Sequence, residues 1–506
     1  MKIKITEEQL EITKDNSDFL IVSAGPGSGK TETLSKYIPE RAMELTLGKK
    51  IIVCSYTVKS TNEIKTRTLR NNGEDGKALS ESVIFLTFDS FLMNYFWKYY
   101  LNRIIRFISK KYNIACNEKN YKFEKIIYSK KKCSEFKSNY KKEYWFAMEV
   151  SEFINSIENN CFLSGFSSDY ILFEYISSKE NIEVKNYITC FFDRIIIDEA
   201  QDLSFLRYDL LLHLNIEFNI KLSLIGDERQ TIYQFGGAEP KIFNKIISNP
   251  KVKEIKKIEL LKNHRYKGMD ENIKKLLSSN EENFEENLNI AIKTLESSND
   301  LSAFIKQIDN EDTVFILTDT NNEVESILKL LNDNSIGAYL KIDDSITSGI
   351  TSLEKEFIEN LYAYKLIKNG NGDIKKRIDK ERTPSQVIFD FLWPYDEKAN
   401  EKFLKLFSKN NQNFDDIISS IEKGYEFKIN PLWNKLMEDN NYLSILSPRR
   451  IQIMTIHGSK GLEADIIFIN RKLINDYKNE KYNMKFENMF VALSRVKKEI
   501  IIYELE

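Results

Sequence analysis

Two clusters of chemically capable residues stand far apart in the chain. Lys30 and Thr31 close the run Ala24-Gly25-Pro26-Gly27-Ser28-Gly29-Lys30-Thr31, and Asp198 and Glu199 open Asp198-Glu199-Ala200-Gln201-Asp202. The first fits a phosphate-binding loop, with Ala24 at the place the strict pattern gives to glycine. Glycines let the backbone wrap phosphate oxygens closely, and a following helix N-terminus adds N–H donors and partial positive charge. Lys30 suits β and γ phosphates, and the Thr31 hydroxyl suits Mg²⁺. Asp198 is placed to hold the same ion and Glu199 to orient or deprotonate an attacking water. The chemistry expected of the set is phosphoryl transfer from a nucleoside triphosphate such as ATP.

Such a site needs strand ends to carry it. Phe19-Leu20-Ile21-Val22 is a short apolar run before the loop, with a helix-compatible stretch after it, and Ile195-Ile196-Ile197 leads directly into Asp198. Further buried-strand candidates are Ile51–Cys54, Val83–Leu86, Leu222–Ile225, Val314–Leu317, Ile451–Met454 and Ile466–Ile469, alternating with helical patterns such as Asn322–Leu331. That alternation predicts an α/β fold with parallel sheets. Two stretches break it, about Leu92–Asn186 and about Asp344–Ile445, and both read as mainly helical insertions.

Composition narrows the class. The chain has 506 residues, enough for three or four units at roughly 100 to 200 residues each. Lys and Arg total 74 against 76 Asp and Glu, a net charge of −2 that excludes a uniformly basic nucleic-acid binder. The balance conceals a cluster: Lys98 to Lys142 holds fourteen Lys and Arg against three Glu, with six tyrosines interleaved. A solvated helical face and a nucleic-acid contact are equally compatible with it. Five cysteines without a CxxC pair argue against zinc or iron–sulfur sites and for reduced core thiols. Three histidines, His213, His264 and His457, make a histidine-rich metal centre unsuitable. No signal peptide or apolar span of membrane length is visible, so a cytoplasmic protein is expected.

An ordered series of motifs resembles the UvrD/Rep-like DNA helicases of superfamily 1. Gln9 in Thr6-Glu7-Glu8-Gln9 is similar to the adenine-reading glutamine, Thr57–Ile64 to the TNKAAxEM segment, and Leu86–Phe91 to GTFHSF with Asp89 replacing histidine. Gly226–Ala238 is similar to GDPKQSIYxFRGA, Asn263-His264-Arg265 to NYR, Met454–Glu463 to MTIHxSKGLE, and Phe490–Arg495 to YVAxTR. Other departures are Gly236 where arginine is common, His264 for the adenine-stacking tyrosine, and Phe486-Glu487 in place of an arginine pair.

The resemblance implies two RecA-like P-loop domains, 1A at residues 1–91 and 187–258 and 2A at 259–343 and 446–506. Insertion 1B would occupy residues 92–186 and a reduced 2B residues 344–445. It implies nucleotide contacts by Gln9, residues 24–31, His264 and Glu463, with Gln230 sensing the γ phosphate and Arg265 and Arg495 as arginine fingers. DNA would meet Tyr56, Tyr233 and Phe235 as base-stacking rings and Thr57, Lys59, Ser90, His457 and Lys460 as backbone contacts.

The activity expected is ATP- and Mg²⁺-dependent translocation on single-stranded or partly duplex DNA, 3′ to 5′ by resemblance. The rival expectation is a DNA-responsive ATPase subunit that regulates a partner nuclease without processive unwinding. For that reading the chain is similar to the compact helicase subunit of Gabija-type anti-phage systems, whose partner is an ATPase-TOPRIM nuclease. A helicase–nuclease fusion is not expected, because only eleven residues follow Arg495.

Overall fold

A computed structural model describes residues 5–71, 76–114, 127–130, 143–159, 161–164, 166–234, 237–252, 254–260, 262–264, 269–295, 298–309, 312–333, 339–340, 451–479 and 485–504. The second insertion, residues 344–445, lies outside them, as do most of the basic residues between 115 and 142. Two compact units result, Met1–Met269 with Phe486–Phe490, and Asp270–Lys485 with Val491–Glu506.

The first unit contains β1 (Phe19–Ala24), β2 (Lys50–Ser55), β3 (Val83–Thr87), β4 (Ile127–Lys130), β5 (Cys161–Ser164), β6 (Phe192–Ile197), β7 (Lys221–Gly226) and β8 (Ile255–Leu260). Six of these form a parallel sheet in the order β3-β2-β6-β7-β1-β8, and β4 pairs with β5, also in parallel. Period-two geometry divides the apolar residues between two faces. Phe19, Ile21, Ile195 and Ile197 enter one core, while Leu20, Val22 and Ile196 enter the other. Burial on both faces is why these strands read as unbroken apolar runs.

β8 was not among the strand candidates. Its sequence, Ile-Lys-Lys-Ile-Glu-Leu, interrupts the apolar run with charge, which its place at the sheet edge tolerates. At the sheet's interior, Arg194 of β6 is fully buried and bound by neutral acceptors. It donates to the Tyr37 hydroxyl and Ser223 Oγ, each at 3.0 Å, to Asn16 Oδ1 at 2.9 Å and to the Ser17 carbonyl at 3.0 Å.

Helix Phe88–Leu92 continues through a π turn, Met93–Trp97, into helix Lys98–Tyr112 without a break. Leu101, Ile104, Ile105 and Ile108 of the last helix, with Phe153, Ile154 and Ile157 of helix Glu143–Glu158, join the same core as Phe19 and Ile21. The first insertion therefore shares its apolar interior with the sheet. Its described cations face outward: Arg103 pairs with Glu183 and Lys111 with Glu174, and Lys98, Arg106 and Lys110 are exposed.

The second unit contains β9 (Ile292–Thr294), β10 (Val314–Thr318), β11 (Tyr339–Leu340), β12 (Ile451–Thr455), β13 (Ala464–Asn470) and β14 (Val496–Tyr503), paired in parallel in the order β11-β12-β10-β13-β14-β9. Ile327 and Leu331 of helix Asn321–Asp333 pack with Ile316, Ile453 and Phe468, as the helical spacing over Asn322–Leu331 predicts. β14 was missed because it opens Val-Lys-Lys-Glu before its apolar half. One cysteine expectation is corrected: Cys54 is buried, but Cys190 lies exposed at the end of helix Ile182–Phe191. Two parallel sheets flanked by helices make the chain α/β with the architecture of RecA-like motors.

Candidate active site and nucleic-acid surface

The phosphate-loop residues follow the C-terminal end of β1, and Asp198 and Glu199 follow that of β6, two strands away in the same sheet. Open parallel sheets hold ligands at this end of their strands. Gly29 caps helix Lys30–Met43 in a left-handed conformation, φ 84°, which glycine adopts without a Cβ penalty. A side chain there would also strike Gln9, whose Nε2 stands 2.6 Å from the Cβ position. Gln9 Nε2 donates to the Ser28 carbonyl at 3.3 Å and its own backbone is fixed by a capping box with Thr6. The His264 N–H donates to the Gly27 carbonyl at 2.9 Å, Asn263 Nδ2 donates to the Pro26 carbonyl, and the imidazole flanks Gly29. Gln9 and His264, separated by most of the unit's sequence, thus converge on one turn of the loop.

Lys30 Nζ donates to both Glu199 carboxylate oxygens at 3.5 Å. The Asp198 N–H donates to the Cys54 carbonyl at 2.8 Å, so the acidic pair is tied to β2 as well as β6. Burial first, and then the Glu199 carboxylate, raise Asp198 to about 7, while Lys30 opposes the shift. Asp198 Oδ1 is buried with no hydrogen-bond partner among the described residues. An orphaned carboxylate oxygen is what a hard cation needs, and Thr31 supplies a hydroxyl from the loop. No cluster of three or more His, Cys, Asp or Glu that could hold a metal occurs among the described residues. Mg²⁺ takes one or two protein oxygens and completes its shell with phosphate and water, and the Asp198 carboxylate with the Thr31 hydroxyl would fit it.

Glu199 sits at φ 53°, ψ 41°, a left-handed conformation that costs a non-glycine residue about 1 kcal/mol or more. Gln201 supports it. This side chain, fully buried, donates from Nε2 to Glu199 Oε2 at 2.6 Å and accepts at Oε1 from the Asp227 N–H at 3.1 Å. Asp227 in turn accepts from Gln230 Nε2 at 2.9 Å and from Arg229 Nε at 3.0 Å. Gln201, Asp227 and Arg229 lay inside motifs already noted but carried no assigned role. The bond from Asp227 to Gln201 is set by the adjacency of β6 and β7, which sequence separation hides, while the remaining bonds of this chain are local.

Tyr56 follows β2 and stacks on Tyr233 at 4.7 Å between ring centroids and 23° between planes, while remaining 39% exposed. Burial of its hydroxyl and the Asp202 carboxylate push the phenol up to about 12, with Arg207 opposing. Thr57 Oγ1 accepts from the Ser60 N–H at 3.1 Å, and Thr87 Oγ1 accepts from the Ser90 N–H at 3.2 Å. Two helix starts are thereby capped side by side, since Ser55 and Thr87 are register partners in β2 and β3. Helix N-termini and hydroxyls are the usual neutral contacts to nucleic-acid phosphates. Asp89 occupies the histidine position and pairs with Arg207 at 2.5 Å, while Arg207 also holds Asp169 at 2.7 Å and covers the Phe88 ring. Burial lifts Asp169 above the ordinary carboxylate value, and Arg207 opposes that too. Lys59 lies in helix Val58–Asn71, with its side chain outside the described set, while Phe235, Gly236 and Arg265 lie wholly outside it.

The second unit presents its candidates on its own strand ends. His457 and Lys460 follow β12, where Thr455 Oγ1 caps a short helix by accepting from the Gly458 N–H at 3.1 Å. Glu463 precedes β13, is exposed and lies 3.6 Å from Lys497. Arg495 is 95% buried, with Nε donating to the Val491 carbonyl at 3.0 Å and Nη2 to Ser494 Oγ at 2.7 Å.

Residues 5–251 match the UvrD/REP helicase N-terminal domain. The chain is 25% identical to the Gabija protein GajB of Bacillus cereus (strain VD045), over 97% of this chain and 94% of that one. It is 23% identical to a probable DNA helicase II homolog of Mycoplasma capricolum, over 98% of this chain and 84% of the relative. A third match, 26% identical over 54% of this chain and 22% of the relative, is to the RecBCD enzyme subunit RecB of Borreliella burgdorferi. With a phosphate loop, an acidic pair and two parallel sheets in place, residues 5–251 carry the UvrD/REP helicase N-terminal domain, and the chain as a whole is similar to ATP-hydrolysing DNA helicases.

Proposed function

We propose that the protein is a cytoplasmic, ATP- and Mg²⁺-dependent motor that translocates 3′ to 5′ on single-stranded DNA. The observation carrying this reading is the meeting of Lys30, Asp198 and Glu199, with the Gln201–Asp227–Gln230 chain beside them. Residues 1–91 and 187–258 would be motor domain 1A and residues 259–343 with 446–506 domain 2A, with 92–186 and 344–445 as insertions 1B and 2B.

On this reading residues 24–31 wrap the triphosphate, Gln9 and His264 receive adenine, and Glu463 is a further nucleotide contact. Thr31 and Asp198 hold Mg²⁺, which when bound neutralises phosphate charge. Glu199, fixed by Gln201 and released from Lys30 when the phosphates claim that ammonium, orients the attacking water and takes its proton. Gln230 reads the γ phosphate, and Arg265 and Arg495 supply transition-state cations, a contribution worth roughly 10³ to 10⁵ in rate where such arginines act. Tyr56, Tyr233 and Phe235 stack bases, while Thr57, Lys59, Ser90, His457 and Lys460 hold the backbone.

DNA-stimulated ATPase is the test. Lys30→Ala and Glu199→Gln should each lower it at least about 100-fold, since both remove groups acting on the transferring phosphoryl. An unaltered rate in either would refute the assignment.

Similarity to the Gabija protein along nearly the full length of both chains favours a second reading. There the chain is the DNA-responsive ATPase subunit of an anti-phage pair whose other member is an ATPase-TOPRIM nuclease. Strand displacement by the isolated chain separates the two: robust unwinding supports the autonomous helicase, and ATPase without unwinding supports the regulatory subunit.

A further inference from the structure

Arg229 is a cation at the phosphate loop that the roles above leave unused. Its Nε donates to Asp227 Oδ1 at 3.0 Å and its Nη2 to Oδ2 at 3.4 Å, while its guanidinium lies over the Phe490 ring at 4.5 Å from the centroid. The same carboxylate accepts from Gln230 Nε2 at 2.9 Å, so one buried acid orients two of the three side chains of the turn Glu228–Gln230. Arg229 also faces Gly25. A Cβ built on Gly25 would stand 2.7 Å from Arg229 Nη2, so the guanidinium fills the space a side chain at position 25 would need. Gly25 does not adopt positive φ, unlike Gly27 and Gly29, so its need for glycine is spatial and comes from this arginine.

We infer that Arg229 is a second phosphate-binding cation, contributed by the same unit as Lys30, that contacts the terminal phosphate of a bound nucleoside triphosphate. The inference rests on the nucleotide-site reading above. A guanidinium suits the task because its planar donor fork pairs two phosphate oxygens at once, which an ammonium cannot do. Asp227 and Phe490 hold the fork against the loop before the ligand arrives, so less rotamer freedom remains to be lost on binding. Gln230 and Arg229, adjacent on one turn and sharing Asp227, would engage the terminal phosphate together. A diphosphate lacks that terminal phosphate and would leave the contact unmade.

Equilibrium titration of the full chain with fluorescent ATPγS and fluorescent ADP tests this without relying on turnover. Arg229→Ala should weaken ATPγS about ten- to a hundredfold, the range for losing a charged hydrogen bond, and alter ADP less than about threefold. Arg229→Lys should fall between. Gly25→Ala should displace the guanidinium and weaken ATPγS in the native background, yet add little once Arg229 is already Ala, because the two changes remove one contact. An unchanged ATPγS-to-ADP ratio in Arg229→Ala would overturn the inference. So would equal loss of both ligands, or a Gly25→Ala effect of the same size in both backgrounds. If the native chain bound neither nucleotide, the underlying site reading would fall as well, an outcome distinct from native binding that Arg229→Ala leaves intact.

Discussion

Gln201 shows how much of a phosphoryl-transfer site is made of residues that touch no substrate. It links the Glu199 carboxylate to the backbone N–H of Asp227, joining the end of β6, proposed above to activate water, to the turn that carries Gln230. Its work is to hold Glu199 in a strained backbone conformation with one carboxylate orientation, and misplacing a catalytic group by about 1 Å can cost 10²-fold. Gln201→Ala should therefore lower kcat about 10- to 100-fold and leave KM for ATP little changed. Gln201→Glu should be no better, since it sets a second carboxylate against Glu199. Steady-state ATPase with both parameters resolved checks this, and a KM defect at normal kcat would assign Gln201 to ground-state binding. The contiguous parts of the site, residues 24–31 and Asp198-Glu199, were legible because one loop and one strand end carry them. The same reading passed over Gln201, Asp227 and Arg229, because what joins them to the site is the adjacency of β6 to β7 and of the Asp227 turn to Gly25, neither of which the sequence displays. Gly25 showed as part of a motif, but its spatial reason became visible only beside Arg229.

Among elements, Arg207 carries an arrangement that the motifs alone do not convey. It stands on helix Phe205–Phe218 and draws in Asp89 from helix Phe88–Leu92 and Asp169 from helix Phe166–Ile176, so one cation ties the turn after β3 to the first insertion. Removing one member of a buried ion cluster strands the others without compensation, at about 3 kcal/mol or more. Arg207→Ala should lower the thermal midpoint by several degrees. Asp89→Asn should cost less, because Asp89 is about a third exposed while the Asp169 side chain is 8% exposed. Comparing thermal unfolding of the two variants checks the ranking. Sequence marked Asp89 as a departure from histidine, yet its partner lies more than a hundred residues onward. Strands buried on both faces were legible as apolar runs, whereas β8 and β14 were not, because lysines and glutamates interrupt or precede their apolar residues.

At the scale of the whole molecule, the sheet order separates when a strand is made from when it can pair. β1 precedes the other described strands of its sheet, yet its two neighbours, β7 and β8, are the last of them: Phe19 pairs with Leu222 and with Ile255. At roughly 10 residues per second, β1 would wait about 20 s on the ribosome for its first partner. During that interval the phosphate loop has no rigid strand beneath it, and Arg194 cannot close its contacts to Tyr37 and Ser223. Stalled chains ending near residue 215 should be cut readily by protease within β1, and chains extended past Leu260 should resist. Nucleotide binding would thus be among the last properties of this unit to appear during synthesis, although Lys30 and Thr31 are made long before β7 and β8.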